Sequence, residues 1–299
     1  MAHTRSNHAE RHSARWRMLR GFLTSVGMAS NGIRLGFTHG FDSGLMLDYV
    51  YRNRASGAFP IGPIIDRIFL DSKGWQGCRS RKELVQEVIV TMVTERHKAG
   101  LATNIVDIAA GAGRYLIEAY QVLRQANAAE SLTVVCRDLD KESLALGRKR
   151  ADAAGLTGIR FERGDALDAP SLAALRPVPD IVVASGLYEI LPPELTKRSM
   201  AAVYGALPPG GRLVFTTLVR HPQLEMIAAV LVTREGKPWV MECRSIAETG
   251  RWAMDVGFQV LDAWLEPHSM YAVTVCEKAP VVPTVRSARR ARKTAEALH

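Results

Sequence analysis

Two glycines in the segment VDIAAGAGRYL, Gly111 and Gly113, are well suited to bind a ligand through the backbone. The segment begins as an apolar strand and continues into a helical pattern, so both glycines fall where a strand ends and a helix begins. Glycine lacks a Cβ, so its N–H group can approach a ligand closely and its backbone can adopt a positive φ. Asp107 precedes them on the strand, where a buried carboxylate needs hydrogen bonds, from the glycine loop or, indirectly, from a ligand amine.

The residues after Gly113 argue against a dinucleotide. A dinucleotide site would have a third small residue three positions further on, for close helix–strand packing. Leu116 stands there, beside the bulky Arg114 and Tyr115. The sequence therefore disfavours a pyrophosphate ligand and leaves a dehydrogenase as a remote alternative.

Acidic residues follow at two more strand ends. Asp138 ends LTVVCRD, where a carboxylate can accept hydrogen bonds from both hydroxyls of a ribose. Asp140 competes for that role, but it directly precedes the helical KESLAL and is better suited to cap that helix. Gly164 and Asp165 end IRFERGD, where the carboxylate can accept from an amine such as that of adenine. Three successive strand ends predict one crevice at a topological switch point.

The elements that must position these residues are alternating strands and helices. Five short apolar runs, separated by helix-like stretches, indicate parallel strands with crossover helices: IVDIAA, LTVVCRD, IRFERGD, PDIVVASG and GRLVFTTL. Residues 258–265 and 270–276 read as two more strands. The gap between them is too short for a parallel crossover and predicts a hairpin. The expected fold is α/β, a doubly wound, mainly parallel seven-stranded sheet that ends in an antiparallel hairpin.

The first hundred residues predict helices instead. Residues 16–30, 45–52 and 61–69 read as short helices separated by glycine-rich breaks. Ser80 and Glu83 have the spacing of a capping box, and helical apolar spacing follows up to Gly100, the expected stop. We expect this region to cover the mouth of the crevice as a helical lid.

Residues 104–278 resemble class I S-adenosylmethionine-dependent methyltransferases through VDIAAGAGRYL, CRDLD, RGDAL and PDIVVASGLYEIL. The terminal hairpin also fits that class better than a nicotinamide dehydrogenase. More narrowly, GFDSGLMLDYVYRN, IDRIFLDSKGW and SGLYEILP resemble a poorly characterised bacterial methyltransferase family often fused behind an α/β-hydrolase; this chain departs by lacking room for a hydrolase domain. The resemblance implies S-adenosyl-L-methionine as cofactor. The expected cofactor-binding residues are Asp107, Gly111, Gly113, Asp138, Asp165 and Ala166.

Catalytic candidates lie in SGLYEI, after the fourth strand. Tyr188 and Glu189 are expected to face the methyl donor, and Glu189 could accept a proton from the acceptor or anchor it. The alternative for Glu189 is an acid in the first turn of a helix. On the lid, Tyr49, Tyr51 and Arg52 are expected to bind substrate, since an aromatic face can stabilise a sulfonium; ordinary helix packing is the competing interpretation.

Metal chemistry and base modification have little support. His39, His221 and His268 are candidate bases, but none has a partner at metal-ligand spacing, so no metal is expected. SGLYEI is unlike the sequences that a resemblance to base-modifying methyltransferases would require. Aromatic residues make up only 7% of the chain and form no base-stacking track, which disfavours a nucleic-acid partner.

Charge separates the ends from the body. The 299-residue chain has a net charge of +9, of which residues 1–20 and 281–299 carry +4 each. We expect basic flexible tails at 1–20 and 279–299, a lid region at 21–100 and a cofactor-binding domain at 101–278. The tails could contact acidic lipid peripherally. No apolar run is long enough to span a membrane, and four scattered cysteines without a CxxC pair indicate a reducing, cytoplasmic location.

The sequence thus predicts an enzyme that transfers a methyl group from S-adenosylmethionine to a small-molecule or lipid-like acceptor by in-line displacement. Two alternatives stay open. The arginine-rich tails could give an RNA methyltransferase its phosphate contacts, in which case deleting both tails would abolish salt-sensitive RNA binding. The chain could also be a cofactor-binding accessory subunit, which would bind cofactor tightly but form product only with a partner.

Overall fold

The computed structural model describes residues 14–279, which contain helices on both faces of one sheet. Residues 14–23 are helical and form the N-terminal helical segment. Four further α-helices precede the sheet: α1 (Asn31–His39), α2 (Gly44–Arg52), α3 (Ile61–Leu70) and α4 (Lys73–Lys98). Both predicted tails extend beyond the described residues. The helical region begins before the predicted boundary at residue 21, because Trp16, Leu19 and Leu23 recur at helical spacing and pack against the core.

Strands and helices alternate after residue 100. The strands are β1 (Thr103–Asp107), β2 (Leu132–Asp138), β3 (Ile159–Arg163), β4 (Ile181–Ala184), β5 (Arg212–Leu218), β6 (Phe258–Leu265) and β7 (Tyr271–Lys278). The helices among them are α5 (Arg114–Gln125), α6 (Lys141–Ala153), α7 (Ala169–Ala173), α8 (Pro193–Ala206), α9 (Leu224–Val230) and α10 (Ile246–Val256).

The strand order β3-β2-β1-β4-β5-β7-β6 confirms the predicted fold class. The first five strands pair in parallel, and β7 pairs antiparallel with both β5 and β6. The chain runs outward from β1 in both directions, so the switch point lies between β1 and β4. Ligands of open α/β sheets bind outside the carboxyl ends of the strands at such a point.

Apolar side chains cover both faces of the sheet. One cluster joins α4, α5 and α6 to one face, and a second joins α8 and α10 to the other. A third cluster attaches the N-terminal helices to the ends of β5 and β7, through residues that include Phe41, Trp75, Leu218 and Tyr271. Because these helices share a core with the sheet, they are fixed at the edge where the carboxyl ends of the strands emerge.

The helix that carries Ser80 differs from its prediction. Helix α4 begins at Lys73 after the N-cap Ser72, so Ser80 lies within the helix and does not cap it. The extra turns are held by long-range packing, since the Trp75 ring stacks on Trp239 at a centroid distance of 5.8 Å. Its end agrees with the prediction: the helix stops at Lys98, and Gly100 has a φ of +72°.

Candidate active site

A cavity of about 570 Å³ lies at the carboxyl ends of β1 to β4. Its floor is formed by residues 108–115, 138–139, 164–167 and 185–187, which follow these four strands in turn. Residues of α2 and of the segment 233–240 form its outer walls. We call this space the strand-end cavity; it brings together the three strand ends at which the sequence predicted a crevice.

The glycine loop turns sharply into α5. Gly111 and Gly113 have φ values of +53° and +62°, and Gly113 is the N-cap of that helix. A Cβ on Gly113 would lie 2.9 Å from the Sγ of Cys136, too close for any other residue to fit without movement. The loop therefore presents backbone N–H groups at a helix N-terminus, where partial positive charge favours a ligand carboxylate.

Gly111 also contacts the lid. A Cβ built on Gly111 would lie 3.0 Å from the Cα of Gly44, at the start of α2. The two backbones approach this closely only because both residues are glycine. A side chain at position 111 would thus displace α2, a contact that the sequence alone did not predict.

Asp138 is held in the cavity by two backbone donors. Its Oδ2 accepts from the N–H of Gly111 and its Oδ1 from the N–H of Asp140, both at 2.8 Å. Each carboxylate oxygen keeps a further lone pair, so the group can still accept two ligand hydroxyls. Asp140 is the N-cap of α6, where it accepts from Glu142 N–H and Ser143 Oγ, as the sequence predicted.

Asp107 lies behind the loop and does not line the cavity. It is fully buried, accepting from the Ala109 N–H at 3.0 Å and from the hydroxyl of Tyr115. Burial raises the pKa of this carboxyl to about 7. Both oxygens face groups of the protein, so Asp107 holds the shape of the loop, which is one of the two roles predicted for it. Its assignment as a cofactor-binding residue is corrected, because it does not line the cavity.

The third strand end lies open to the cavity. Asp165 is exposed, and its Oδ1 accepts from the Leu167 N–H at 2.9 Å. Ala166 is buried and lines the cavity beside it. The structure therefore brings five of the six predicted cofactor residues around one space: Gly111, Gly113, Asp138, Asp165 and Ala166.

Tyr188 does not face the cavity as predicted. Its ring is fully buried beside Phe215, and its hydroxyl lies 3.3 Å from the Oγ of Ser199. The buried Arg244 donates to the Tyr188 carbonyl and fixes the backbone in this orientation. Gly186, with a φ of +77°, turns the chain after β4 so that this side chain enters the core. Tyr188 is accordingly a packing residue in this structure.

Glu189 lies one layer behind the cavity wall. Its side chain is buried, and Oε1 accepts from Thr216 Oγ1 at 2.6 Å and lies 3.5 Å from a guanidinium nitrogen of Arg81. Burial raises the pKa of Glu189, outweighing the opposite effect of Arg81. Its Oε2 has no hydrogen-bond partner among the described residues. The carboxylate is thus positioned beside the site and does not open into it.

Arg81 is a buried residue near the site that the sequence did not reveal. It donates to the hydroxyl of Tyr51 at 3.1 Å and lies over the ring of Tyr271, with its Cζ 4.7 Å from the ring centroid. It also lies under the loop after β4, since a Cβ on Gly186 would come within 3.1 Å of its guanidinium. The role of this arginine, in the middle of α4, could not be predicted from local sequence, because its partners are distant along the chain.

Of the three predicted substrate residues, only Tyr51 lines the strand-end cavity. The hydroxyl of Tyr49 donates to the buried Asp66 at 2.5 Å. Arg52 is exposed and lies over the Tyr49 ring at 4.9 Å. On a helix, positions 49 and 51 point to different sides, so only one of the two tyrosines can face the cavity.

Helix α2 is tied to the glycine-loop side of the sheet by ion pairs. Asp48 is buried at the cavity wall and accepts from Arg114 of α5 at 2.9 Å and from both terminal nitrogens of Arg150 of α6. The sequence did not indicate this contact. It fixes the wall that carries Tyr51.

The segment 233–240 closes the cavity opposite the sheet and was also missed. The Arg234 N–H donates to Asp42 at 2.8 Å, and the Val232 carbonyl accepts from Phe41 at 2.9 Å. Trp239, nearly fully buried, lines the cavity. The turn-like TREGK sequence around Gly236, between apolar stretches, was the available signal.

Within residues 14–279, no group of three or more histidine, cysteine, aspartate or glutamate side chains is placed to bind a metal. None of the three candidate histidines lines the strand-end cavity. His39 pairs with Glu142 at 3.3 Å, and Nδ1 of His221 accepts from Gln223 N–H. In the same part of the chain, no helix is long and apolar enough to cross a membrane.

A family model described as "Putative methyltransferase" matches residues 2–278. The chain belongs to this methyltransferase family. The uncharacterized protein YnbC of Escherichia coli (strain K12) is 42% identical to it over 256 residues, which cover 83% of this chain and 43% of YnbC. The chain therefore spans less than half the length of that relative.

Solved methyltransferase structures share the fold. Magnesium protoporphyrin IX methyltransferase (ChlM) of Synechocystis PCC 6803, with bound S-adenosylhomocysteine, has a TM-score of 0.53 and 14% identity, covering 88% of this chain and 97% of its own. The S-adenosylmethionine-dependent methyltransferase SibL has a TM-score of 0.52 and 15% identity, and the match covers 83% of this chain and 73% of SibL. The predicted class I methyltransferase fold is confirmed, and family and fold together agree with the predicted cofactor, S-adenosyl-L-methionine.

Proposed function

We propose that this methyltransferase-family chain transfers the methyl group of S-adenosylmethionine to a small-molecule or lipid-like acceptor by in-line displacement. The observation that carries the proposal is the strand-end cavity, where the glycine loop and Asp138 meet at the switch point of the sheet. The chemistry needs an acceptor held in line and away from water. The walls from α2 and segment 233–240 supply that enclosure.

The residues present fit the cofactor. Glycines at positions 111 and 113 leave room that side chains would fill, and Asp138 keeps lone pairs free for the ribose hydroxyls. We assign Asp165 and Ala166, which line the same cavity, to the adenine end. Bound S-adenosylmethionine supplies a methyl group made electrophilic by its positive sulfonium.

The acceptor side is assigned to Tyr51 and the groups behind it. Tyr51 lines the cavity, and its hydroxyl accepts a hydrogen bond from Arg81, which in turn lies beside Glu189. Burial keeps the pKa of the Tyr51 phenol raised. We therefore assign Glu189 as a positioning residue that acts through Arg81 and Tyr51, in place of a base in direct contact with the acceptor.

Glu189→Gln tests this assignment. The amide keeps the shape and removes the charge, so we expect unchanged S-adenosylhomocysteine affinity and a turnover loss below about 10²-fold, the lower limit for removing a general base. A pH–rate profile distinguishes this positioning role from a purely structural one. If the ionisation of Glu189 affects turnover, the change of rate with pH that is due to Glu189 disappears in the variant. A larger loss would restore the general-base assignment. Normal turnover and an unchanged profile would remove Glu189 from the site.

The function itself is tested with methyl-labelled S-adenosylmethionine and a bacterial extract divided into aqueous and organic fractions. Label transferred to a small molecule or lipid, and lost in the Asp138→Ala variant, would support the proposal. Label found in RNA, or tight binding of the cofactor without transfer to any fraction, would contradict it.

All four cysteines are free thiols, which supports a cytoplasmic location for the reaction.

A further inference from the structure

A second cavity, of about 230 Å³, lies on the far side of Trp239. We call it the apolar cavity. The N-terminal helical segment, α3 and the start of α4 form one side, and residues between 221 and 241 with Tyr271 form the other. Typical side chains on its walls are those of Leu23, Ile65, Phe69, Ile227, Leu231 and Met241.

The walls of the apolar cavity carry no Asp, Glu, Lys or Arg among the described residues. Two of its polar side chains are hydrogen-bonded within the protein: His221 Nδ1 accepts from the Gln223 N–H at 3.0 Å, and the Gln223 side chain accepts from the Gly74 N–H at 3.0 Å. The indole N–H of Trp239 has no hydrogen-bond partner among the described residues. Burial lowers the pKa of His221 to about 4, so the ring is neutral at pH 7. A charged ligand group would lose its hydration here without compensation, whereas hydrocarbon would not.

The mouth of the apolar cavity is unusually apolar for a protein surface. Phe22 and Ile68 line the cavity and are 47% and 70% exposed. Met18 and Ile64, one turn away on the same two helical segments, are 77% and 61% exposed. Exposed apolar side chains are typical of protein or membrane contact sites and of ligand-binding grooves; because Phe22 and Ile68 also line the apolar cavity, we take them as its entrance.

The two cavities are adjacent. Trp239 lines both, so the two cavities adjoin at this residue. Tyr271, on the apolar side, touches Arg81, which holds Tyr51 on the other side. The apolar cavity is smaller than the roughly 300–1,000 Å³ of pockets that enclose a whole small ligand, so it suits one part of a larger molecule.

We propose that the apolar cavity holds the hydrocarbon part of the methyl acceptor, an acyl- or prenyl-type chain, with the polar end of the acceptor at the Trp239 boundary with the strand-end cavity. The chain enters between Phe22 and Ile68. This inference rests on the proposed function, and it names the acceptor as a molecule with a hydrocarbon chain.

The test uses the full chain and the fluorescent fatty acid cis-parinaric acid, excited directly. Ile65→Trp fills the apolar cavity, and Val122→Trp places the same side chain on the exposed side of α5, where it lines neither cavity, as a control. We expect saturable binding to the natural chain, weakened about tenfold or more by Ile65→Trp and changed less than about twofold by Val122→Trp. Leu23→Trp fills the cavity from the opposite wall and serves if Ile65→Trp does not fold.

Calorimetry with S-adenosylhomocysteine on the same variants separates this inference from the proposed function. If Ile65→Trp keeps its affinity for S-adenosylhomocysteine but no longer binds the probe, the inference about the apolar cavity is supported. No saturable probe binding, or equal effects of the two substitutions, overturns the apolar site while leaving methyl transfer standing. If the natural chain fails to bind S-adenosylhomocysteine, the proposed function falls, and the acceptor role of the cavity falls with it.

Discussion

At the scale of single residues, the strand-end cavity depends on groups that never touch its interior. Asp107 is the main example, because its oxygens hold Ala109 and Tyr115 and so fix the loop that begins at the end of β1. A carboxyl buried in this way favours its neutral form. Its protonation state is therefore part of how the loop is stabilised.

This predicts a pH dependence of stability. Burial raises the pKa of Asp107 from 3.8 to about 7, so between these values the folded chain holds a proton that the unfolded chain releases. The free energy of unfolding should therefore fall as pH rises through that window. Asp107→Asn resembles the neutral acid and should remove this slope. Thermal unfolding of both proteins from pH 5 to 8 is the measurement, and parallel curves would contradict the assignment.

Gly111 gives a second prediction. Gly111→Ala places a methyl group in a backbone with positive φ and against Gly44 of α2. Gly155→Ala is the matched control, since Gly155 has a φ of +63° and open space around it. In both variants, backbone strain should lower the free energy of unfolding, measured in urea, by about 1 kcal/mol. Only Gly111→Ala should also weaken S-adenosylhomocysteine binding, because it moves the cavity wall. Equal affinities in the two variants would refute a role for this contact.

Residue orientation was the least predictable feature of the site. Gly111, Gly113, Asp138 and Asp165 line one cavity, as the sequence predicted, because strand ends and glycines are local signals. Tyr188 was misplaced because one turn at Gly186 decides which way a side chain points, and that turn depends on packing around β4.

At the scale of elements, helix α2 matters most for the site. Asp48 connects it to α5 and α6 from a nearly buried position. Removing one member of a buried ionic group leaves the remaining charges without a partner. The position of the cavity wall should therefore depend on this carboxylate.

Asp48→Asn should lower the free energy of unfolding by about 3–5 kcal/mol, the range for breaking a buried ion pair. Asp71→Asn is the control, because Asp71 forms an exposed pair with Arg67 at 3.0 Å and should cost at most about 1 kcal/mol. Chemical denaturation measures both. A similar small loss in the two variants would show that α2 is held by apolar packing alone.

The elements themselves were largely predictable. All seven strands appear where apolar runs indicated them, because a buried parallel strand is marked by its own residues. The start of α4 was wrong, since the capping-box spacing of Ser80 and Glu83 is local while Trp75 is held by the distant Trp239. Segment 233–240 was missed for the same reason: its role comes from contacts with residues 41–42, far away in the chain.

At the scale of the whole molecule, the sheet and the N-terminal helices form different parts of the site. The sheet supplies the strand ends that line the strand-end cavity, where we propose that the cofactor binds. The helices share an apolar core with β5 and β7 while enclosing both cavities. This arrangement places a cavity with polar groups beside one that is almost entirely apolar. A methyl acceptor with a polar end and a hydrocarbon end would match that pairing.

The most direct test of the account is calorimetric titration of S-adenosylhomocysteine into the natural chain, Asp138→Ala and Asp140→Ala. Asp138 faces the cavity, whereas Asp140 two residues later caps α6. We predict that Asp138→Ala weakens binding by about 1–3 kcal/mol, the range for losing charged hydrogen bonds. Asp140→Ala should keep its affinity and lose about 0.5–2 kcal/mol of stability. Absence of binding to the natural chain, or unchanged affinity in a folded Asp138→Ala variant, would contradict the assignment of the strand-end cavity as the cofactor site.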